Sequence, residues 1–241
     1  MNSLEPDYKI LYRLQDKFLQ WWVSQKLPFY LTGGTALGRF FLNHRYSDDL
    51  DFFVNADSGY GRYLVELKKS IEENFLLNNQ LSLFSDDFTR FFIVDGDVTL
   101  KVEFVNDVKY YPGQPLVFPF GLIDRPINIL ANKLTAVVGR DEPKDVFDLI
   151  HLSLNYAFNW QDVFFHAKEK SVINEIEVGQ RLHTFPVDWL KTIKSLSASI
   201  DMANYQRLLE IIADDFLFGK NNSLGVNRID IVQAQPQFFQ R

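Results

Sequence analysis

The sequence predicts an α+β fold: a mixed β-sheet core flanked by helices, followed by a C-terminal helical lobe. Three observations carry this prediction. Strand and helix patterns mix through roughly the first half of the 241 residues, an Asp-Gly dipeptide between two apolar runs marks a β-hairpin, and from Ile127 onward every strong pattern is helical. The resulting division is a core over residues 1–125 and a helical lobe over residues 126–241 that completes the active site.

Residues Tyr8 to Gln25 read as a helix with Ile10, Leu11, Leu14, Phe18, Trp21 and Trp22 on one side, and Pro28 ends it. Phe29-Tyr30-Leu31 is a short strand running into Gly33-Gly34, and Thr35 to Leu42 forms a short helix. A strand over Asp49 to Val54 and an amphipathic helix over Tyr63 to Phe75 follow. Leu81 to Phe84 is a strand. Phe91 to Val94 and Val98 to Val105 are the arms of the hairpin, with Asp95-Gly96 as its two-residue loop. The Pro-rich stretch Tyr111 to Pro126 leads the chain away from the sheet. The polar tail after Gly219, which ends around Phe238-Phe239, is expected to be loosely ordered.

Composition narrows the chemistry. The chain is 46% hydrophobic and contains 23 Phe residues, enough for a core without disulfides or a structural metal. It has no Cys, which excludes thiol catalysis and cysteine-ligated zinc and fits a reducing compartment. The four His residues, at 44, 151, 166 and 183, lack zinc-ligand spacing. No signal-peptide pattern or apolar span is present, so the expected location is cytoplasmic, with no membrane partner. A net charge of −6 argues against sequence-blind nucleic-acid binding and leaves only a local basic patch for such a substrate.

The most informative stretch is LTGGTALGRFFLNHRYSDDLDFFV, Leu31 to Val54. Residues two apart on a strand share a face, so Asp49 and Asp51 stand side by side while Leu50 and Phe52 turn to the core. Paired carboxylates of this kind suit two Mg²⁺ ions about 3.5–4 Å apart. A strand-start acid pair is equally compatible with a solvated edge. On the later strand Val98, Leu100, Val102 and Phe104 share one face, and Thr99, Lys101 and Glu103 the other. Glu103 is thus a third candidate ligand, or else one half of an exposed Lys-Glu alternation. Gly33-Gly34 before a helix lets backbone N–H groups approach phosphate, and Thr35 adds a hydroxyl; the same pair also serves as a plain tight turn. No Walker loop, kinase signature, hydrolase elbow or dinucleotide fingerprint occurs.

Farther on, Asn132-Lys133 through Gly139-Arg140 is followed by Pro143-Lys144-Asp145 and Asp148. Ile127, Leu130, Leu134, Val137 and Val138 form a buried stripe. Lys133 and Arg140, seven apart, point away from it. Gly139 stops the helix, Pro143 opens the next, and Asp145 and Asp148 are neighbours on one face.

A Gly-Gly-Thr turn, thirteen residues, a hydrophobic-flanked Asp-x-Asp and a later acid on a strand resemble the DNA polymerase β-like nucleotidyltransferase superfamily. More narrowly, GGTAL followed by Arg45-Tyr46-Ser47-Asp48-Asp49-Leu50-Asp51-Phe52, with the Lys, Arg, Lys-Asp and Asp series downstream, resembles the AbiEii/AbiGii toxin-type nucleotidyltransferases. The resemblance covers Leu31 to Leu152, with Thr35 in place of the superfamily's usual Ser.

The resemblance implies Mg²⁺-dependent transfer of NMP from an NTP to an acceptor. It makes Asp49, Asp51 and Glu103 ligands of two Mg²⁺ ions and Lys133 a further catalytic group. Nucleotide binding falls to Gly33, Gly34, Thr35, Arg45, Ser47, Lys133 and Arg140. Lys144, Asp145 and Asp148 either orient nucleotide or acceptor or brace the two helices. It also implies a toxin of a bacterial toxin–antitoxin pair, with RNA, specifically a tRNA end, as acceptor and a cognate antitoxin as partner. A small-molecule acceptor such as an antibiotic is the alternative enzymatic reading. A module that binds nucleotide or partner without catalysis is the third.

Overall fold

The computed structural model describes residues 7–196 and 201–239. Its elements are the helix α1 (Tyr8–Trp22), strand β1 (Tyr30–Thr32), helix α2 (Gly33–Phe40), strand β2 (Leu50–Asn55), helix α3 (Tyr60–Asn74), and strands β3 (Leu76–Leu77), β4 (Leu83–Phe84), β5 (Phe88–Asp95), β6 (Val98–Asp107), β7 (Leu116–Phe118) and β8 (Gly121–Ile123). The helices α4 (Pro126–Gly139), α5 (Pro143–Asn155), α6 (Trp160–Lys168), α7 (Glu175–Thr184) and α8 (Met202–Leu217) complete the series. Among the described residues, no helix is long and apolar enough to cross a membrane.

The chain divides into two compact units. The first holds the described residues up to Thr35 together with Ser47–Lys109 and Pro115–Asp124. The second holds Ala36–Tyr46, Tyr110–Gln114 and the described residues from Arg125 on. The second unit thus takes in two segments, 36–46 and 110–114, that lie within the 1–125 stretch the sequence assigns to the core.

The first unit is built on one mixed sheet in the order β3-β5-β6-β2-β1-β8-β7, with β4 added on β5. Two pairings are parallel, β2 with β6 and β1 with β8, and the others are antiparallel. The Pro-rich stretch therefore returns to the sheet: it supplies β7 and β8, and the Asp124 N–H continues the contact by donating to the Leu31 carbonyl at 2.8 Å. Its prolines sit outside the short strands, where a missing N–H breaks no ladder.

The hairpin loop also differs by one residue from the sequence expectation. Asp95 pairs with Val98, so the loop is Gly96-Asp97, with Gly96 at φ +59° in the first loop position. A left-handed first position matches the twist of the flanking strands and favours glycine.

Period-2 alternation on β2 and β6 sends Leu50, Phe52, Leu100, Val102 and Phe104 into the core, all fully buried. There Phe52 and Phe104 stack at 5.2 Å, and Trp22 of α1 lies 4.4 Å from Phe52. Tyr60, at the start of α3, donates its hydroxyl to the Phe104 carbonyl at 2.9 Å. The opposite faces of β2 and β6 carry Asp51, Lys101 and Glu103, and the candidate site is there.

The second unit packs α4 against α5, α6 and α7, and α8 against α7. Trp160, Phe147 and Phe216 are its large buried rings. The segment after Gly219 is tied down, contrary to the sequence expectation. Buried Asn222 donates to the carbonyls of Ser153 at 2.7 Å and Tyr156 at 2.8 Å, at the end of α5. Ile231 and Ala234 are buried, the Gln237 N–H donates to the Phe40 carbonyl at 2.8 Å, and the Phe238 ring lies 6.2 Å from that of Phe40. Polar composition disguised this packing, because its anchors are single side chains without a period.

Asn222→Ala removes the donors that satisfy two buried carbonyls. It is expected to lower stability by about 2 kcal/mol and Tm by about 4–8 °C, read by calorimetry or thermal shift.

Candidate active site

Parallel pairing of β2 with β6 sets Asp51 directly opposite Glu103. Asp49 precedes β2 by one residue, and its placement is set from behind. The Thr35 hydroxyl, fully buried, donates to the Asp49 carbonyl. Ser47 is fixed by the same means: the Gln15 amide donates to its carbonyl at 3.0 Å, and its N–H donates to the Tyr12 hydroxyl at 3.1 Å. The three predicted carboxylates are thus brought together.

The glycine turn acts on the carboxylates themselves. Gly33 has φ +69°, and a Cβ on it would collide with the Asp51 carboxylate. Gly33 is therefore required both by its backbone conformation and by the room Asp51 needs. Thr35, expected to offer its hydroxyl to phosphate, spends it on the Asp49 backbone. Ser47 is buried.

Two cations complete the cluster, and the sequence reading assigned a role to neither. Lys101 Nζ lies 2.8 Å from Asp49 Oδ2 and 3.4 Å from Glu103 Oε1. Arg90 places Nε 2.6 Å and a terminal nitrogen 2.5 Å from Glu103 Oε1. Lys101 was within reach of the sequence, since it stands two residues before Glu103 on the same strand face. Arg90 was lost through the hairpin loop. A loop of Asp95-Gly96 would set Phe88 opposite Glu103, whereas the loop Gly96-Asp97 sets Arg90 there.

The electrostatics follow from this crowding. Burial, then the negative charges of Asp49 and Glu103, push Asp51 up to about 7 despite Lys101 nearby. Burial would also raise Glu103, but Lys101 and Arg90 outweigh it and hold that carboxyl below its ordinary value. Asp51 is thus the carboxyl on which the excess negative charge of the cluster falls.

The second unit carries the downstream motif as one buried ion network. Asp148, fully buried, accepts from Arg45 Nε at 2.6 Å and a terminal Arg45 nitrogen at 2.7 Å, and faces His44 Nε2 at 2.8 Å. Lys133 Nζ lies 2.8 Å from Asp148 Oδ2 and 2.6 Å from Asp145 Oδ1. Arg140 donates through Nε to Asp145 Oδ2 at 2.7 Å. Burial opposes ionisation of Asp148, but Arg45 and Lys133 hold it well below the usual carboxylate range.

These contacts revise several expected roles. Arg45 is 4% exposed and closed on Asp148 and the Tyr46 carbonyl, contacts that brace the fold. Lys133 does not point outward off its helix; its ammonium is drawn inward by two carboxylates. Asp145 and Asp148 tie α4 to α5. Arg140, with 55% of its side chain exposed, and half-buried Lys144 remain reachable from solvent. His44 was not anticipated. Its burial lowers its pKa, and Nδ1 has no hydrogen-bond partner.

The family described as nucleotidyl transferase AbiEii toxin, type IV TA system, matches residues 20–172. The chain belongs to this AbiEii family. It is a nucleotidyltransferase, and the resemblance read from the glycine turn and the Asp-x-Asp is correct. No curated protein matches the sequence.

Among solved structures, a protein from H. pylori described as a putative nucleotidyltransferase superposes with TM-score 0.58 at 23% identity, covering 89% of this chain and 96% of its own. JHP933 from Helicobacter pylori gives TM-score 0.56 at 23% identity, covering 90% and 94%. MenT4, a nucleotidyltransferase toxin from Mycobacterium tuberculosis H37Rv, gives 0.53 at 17% identity, covering 88% and 84%. At these identities the likeness shows the fold.

Members of this AbiEii family generally use an NTP and a divalent metal. The donor set here fits a hard cation in chemistry: it is all oxygen, from three carboxyls, with like-charge repulsion a cation relieves. As they stand, no three acidic or His side chains among the described residues are arranged to hold a metal ion. The Lys101 ammonium instead bridges Asp49 and Glu103.

Two expectations test this geometry. Because Asp51 ionises in the folded protein only near pH 7, its charge costs stability as pH rises from about 4 to about 7. In metal-free protein Asp51→Asn should therefore raise Tm by several degrees at pH 8, and the gain should shrink steadily toward pH 4. A gain that grew toward acid would contradict the sign. Gly33→Ala should lower stability by about 1–3 kcal/mol through its left-handed backbone and the collision with Asp51, measured by denaturant unfolding.

Proposed function

We propose that this nucleotidyltransferase is a toxin that transfers NMP from an NTP to an RNA acceptor, a tRNA end, with two Mg²⁺ ions held by Asp49, Asp51 and Glu103. The observation that carries the reading is the register of β2 on β6, which sets Asp51 opposite Glu103 and beside Asp49, where burial and then the charges of those two acids push Asp51 up to about 7. An acid whose ionisation is disfavoured near neutral pH has a use for added positive charge. Bound there, Mg²⁺ would neutralise developing phosphate charge and activate the attacking hydroxyl.

The residues of the chain supply positioning. The backbone of Gly33 lies beside the Asp51 carboxylate, and the Gly33-Gly34 turn at the start of α2 is assigned to an approaching phosphate. Thr35 and Ser47 contribute by holding Asp49 in place. Glu103, on the strand neighbouring the acid pair, is the group for the acceptor hydroxyl and its proton. Lys133 has three N–H donors and spends two on Asp145 and Asp148, so the third is assigned to nucleotide phosphate. Arg140 and Lys144, both accessible, are assigned to the same charge. Membership of a toxin family suggests a cognate antitoxin protein as partner.

The test is incubation with each labelled NTP, Mg²⁺ and total RNA, beside the Asp49→Ala/Asp51→Ala variant. Label should enter tRNA with the intact protein, and the double variant should lose at least about a thousandfold of that rate, the scale expected when charge stabilisation of the transition state is removed. Labelling that survives in the double variant, or label that enters no RNA, would refute the assignment.

A further inference from the structure

Lys101 belongs to β6, two residues from Glu103, and its ammonium lies between the Asp49 and Glu103 carboxyls. It contacts Asp49 Oδ2 at 2.8 Å and Glu103 Oε1 at 3.4 Å, and its charge is also felt by Asp51. Arg90 is secured on Glu103 alone, across the hairpin. Three carboxyls thus share two cations in the resting protein. Lys101 is the one of these cations that spans the cluster from Asp49 to Glu103.

We propose that Lys101 is a resident counter-ion that competes with the divalent metal for Asp49 and Glu103, so that metal enters only as the ammonium leaves. This rests on the metal-dependent reading above. Three features favour it. An ammonium and a dication sharing one carboxylate oxygen repel each other strongly at such distances. The lysine has a flexible four-carbon stem and is 27% exposed, so it can move without disturbing β6. Its contacts fall on Asp49 and Glu103, two of the three carboxyls assigned to the metal.

A consequence concerns the nucleotide. A displaced ammonium needs a new anionic partner, and the triphosphate that arrives with the metal supplies one. Metal alone therefore binds weakly, and metal with NTP binds well. The lysine couples the two and keeps the carboxylate cluster neutralised until substrate arrives.

The proposal is tested by Mn²⁺ titration followed by electron paramagnetic resonance, with and without a non-hydrolysable NTP analogue. Lys101→Met should bind Mn²⁺ about tenfold more tightly than wild type without nucleotide, and the nucleotide's enhancement of Mn²⁺ affinity should shrink. Lys101→Arg, which retains the charge, should stay weak. Equal or weaker Mn²⁺ affinity in Lys101→Met overturns the proposal while leaving the metal-dependent reading intact. Absence of Mn²⁺ binding in every protein, with or without nucleotide, overturns both.

The wild-type protein offers a second measurement that does not depend on how the variant folds. With lysines reductively ¹³C-methylated and the Lys101 signal identified by its loss in Lys101→Arg, added Mg²⁺ and the NTP analogue should shift that signal. An unmoved Lys101 signal while Mg²⁺ binds overturns the proposal.

Discussion

The parallel register of β2 on β6 is the constraint from which the rest of the site follows. Neighbouring strands lie about 4.8 Å apart, so setting Asp51 opposite Glu103 forces two carboxyls together at a spacing the backbone cannot relax. Asp49, held by the buried Thr35 hydroxyl, adds a third. Everything nearby answers that choice. Gly33 gives up a side chain so that the Asp51 carboxyl has room, Lys101 and Arg90 supply positive charge, and burial together with the remaining repulsion raises the Asp51 pKa. The apolar alternation on the opposite faces of the same strands fixes the register, because a slip of one residue would bury the acids and expose Phe52 and Phe104.

The second unit resolves the same problem the opposite way. Asp148 is as deeply buried as any core phenylalanine, yet its charge is met by a two-pronged guanidinium, an ammonium and an imidazole. Removing one partner from such a group leaves an uncompensated buried charge, which is far more damaging than the pair is stabilising. The network therefore acts as a geometric lock between α4, α5 and the segment carrying His44 and Arg45. The two units thus hold contrasting acids. Asp148 is neutralised and held well below its ordinary pKa, whereas Asp51 is under-neutralised and raised.

How much of this was legible depended on whether a feature repeats. The helices, the carboxylate pair, the apolar faces of β2 and β6, the end of α4 at Gly139 and the start of α5 at Pro143 were readable, because each is carried by a period or by a residue with one strong local preference. The strands β7 and β8 were hidden, since three-residue strands among prolines and glycines have too few positions to show alternation. The tail was misread because Asn222 and Ile231 anchor it singly. At the site, charge type was visible but partnership was not. Lys133 and Arg45 read as free cations because nothing local shows that Asp145 and Asp148 face them, and a one-residue error in the hairpin loop was enough to hide Arg90 from Glu103.

The contrast between the two acidic centres bears on function. A fold shared with structures at 17–23% identity constrains the scaffold and leaves the chemistry to the side chains. A purely structural acid would be expected to resemble Asp148, with its charge fully met. Asp51 instead sits where folding leaves it short of positive charge, beside a glycine that no larger residue can replace without displacing it, in a chain already carrying net negative charge. Such an arrangement costs stability, and a bound cation of the kind proposed above would recover it. That asymmetry is what distinguishes a place prepared for a ligand from an ion network prepared for the fold, and it rests on Asp51 more than on any motif that first drew notice to it.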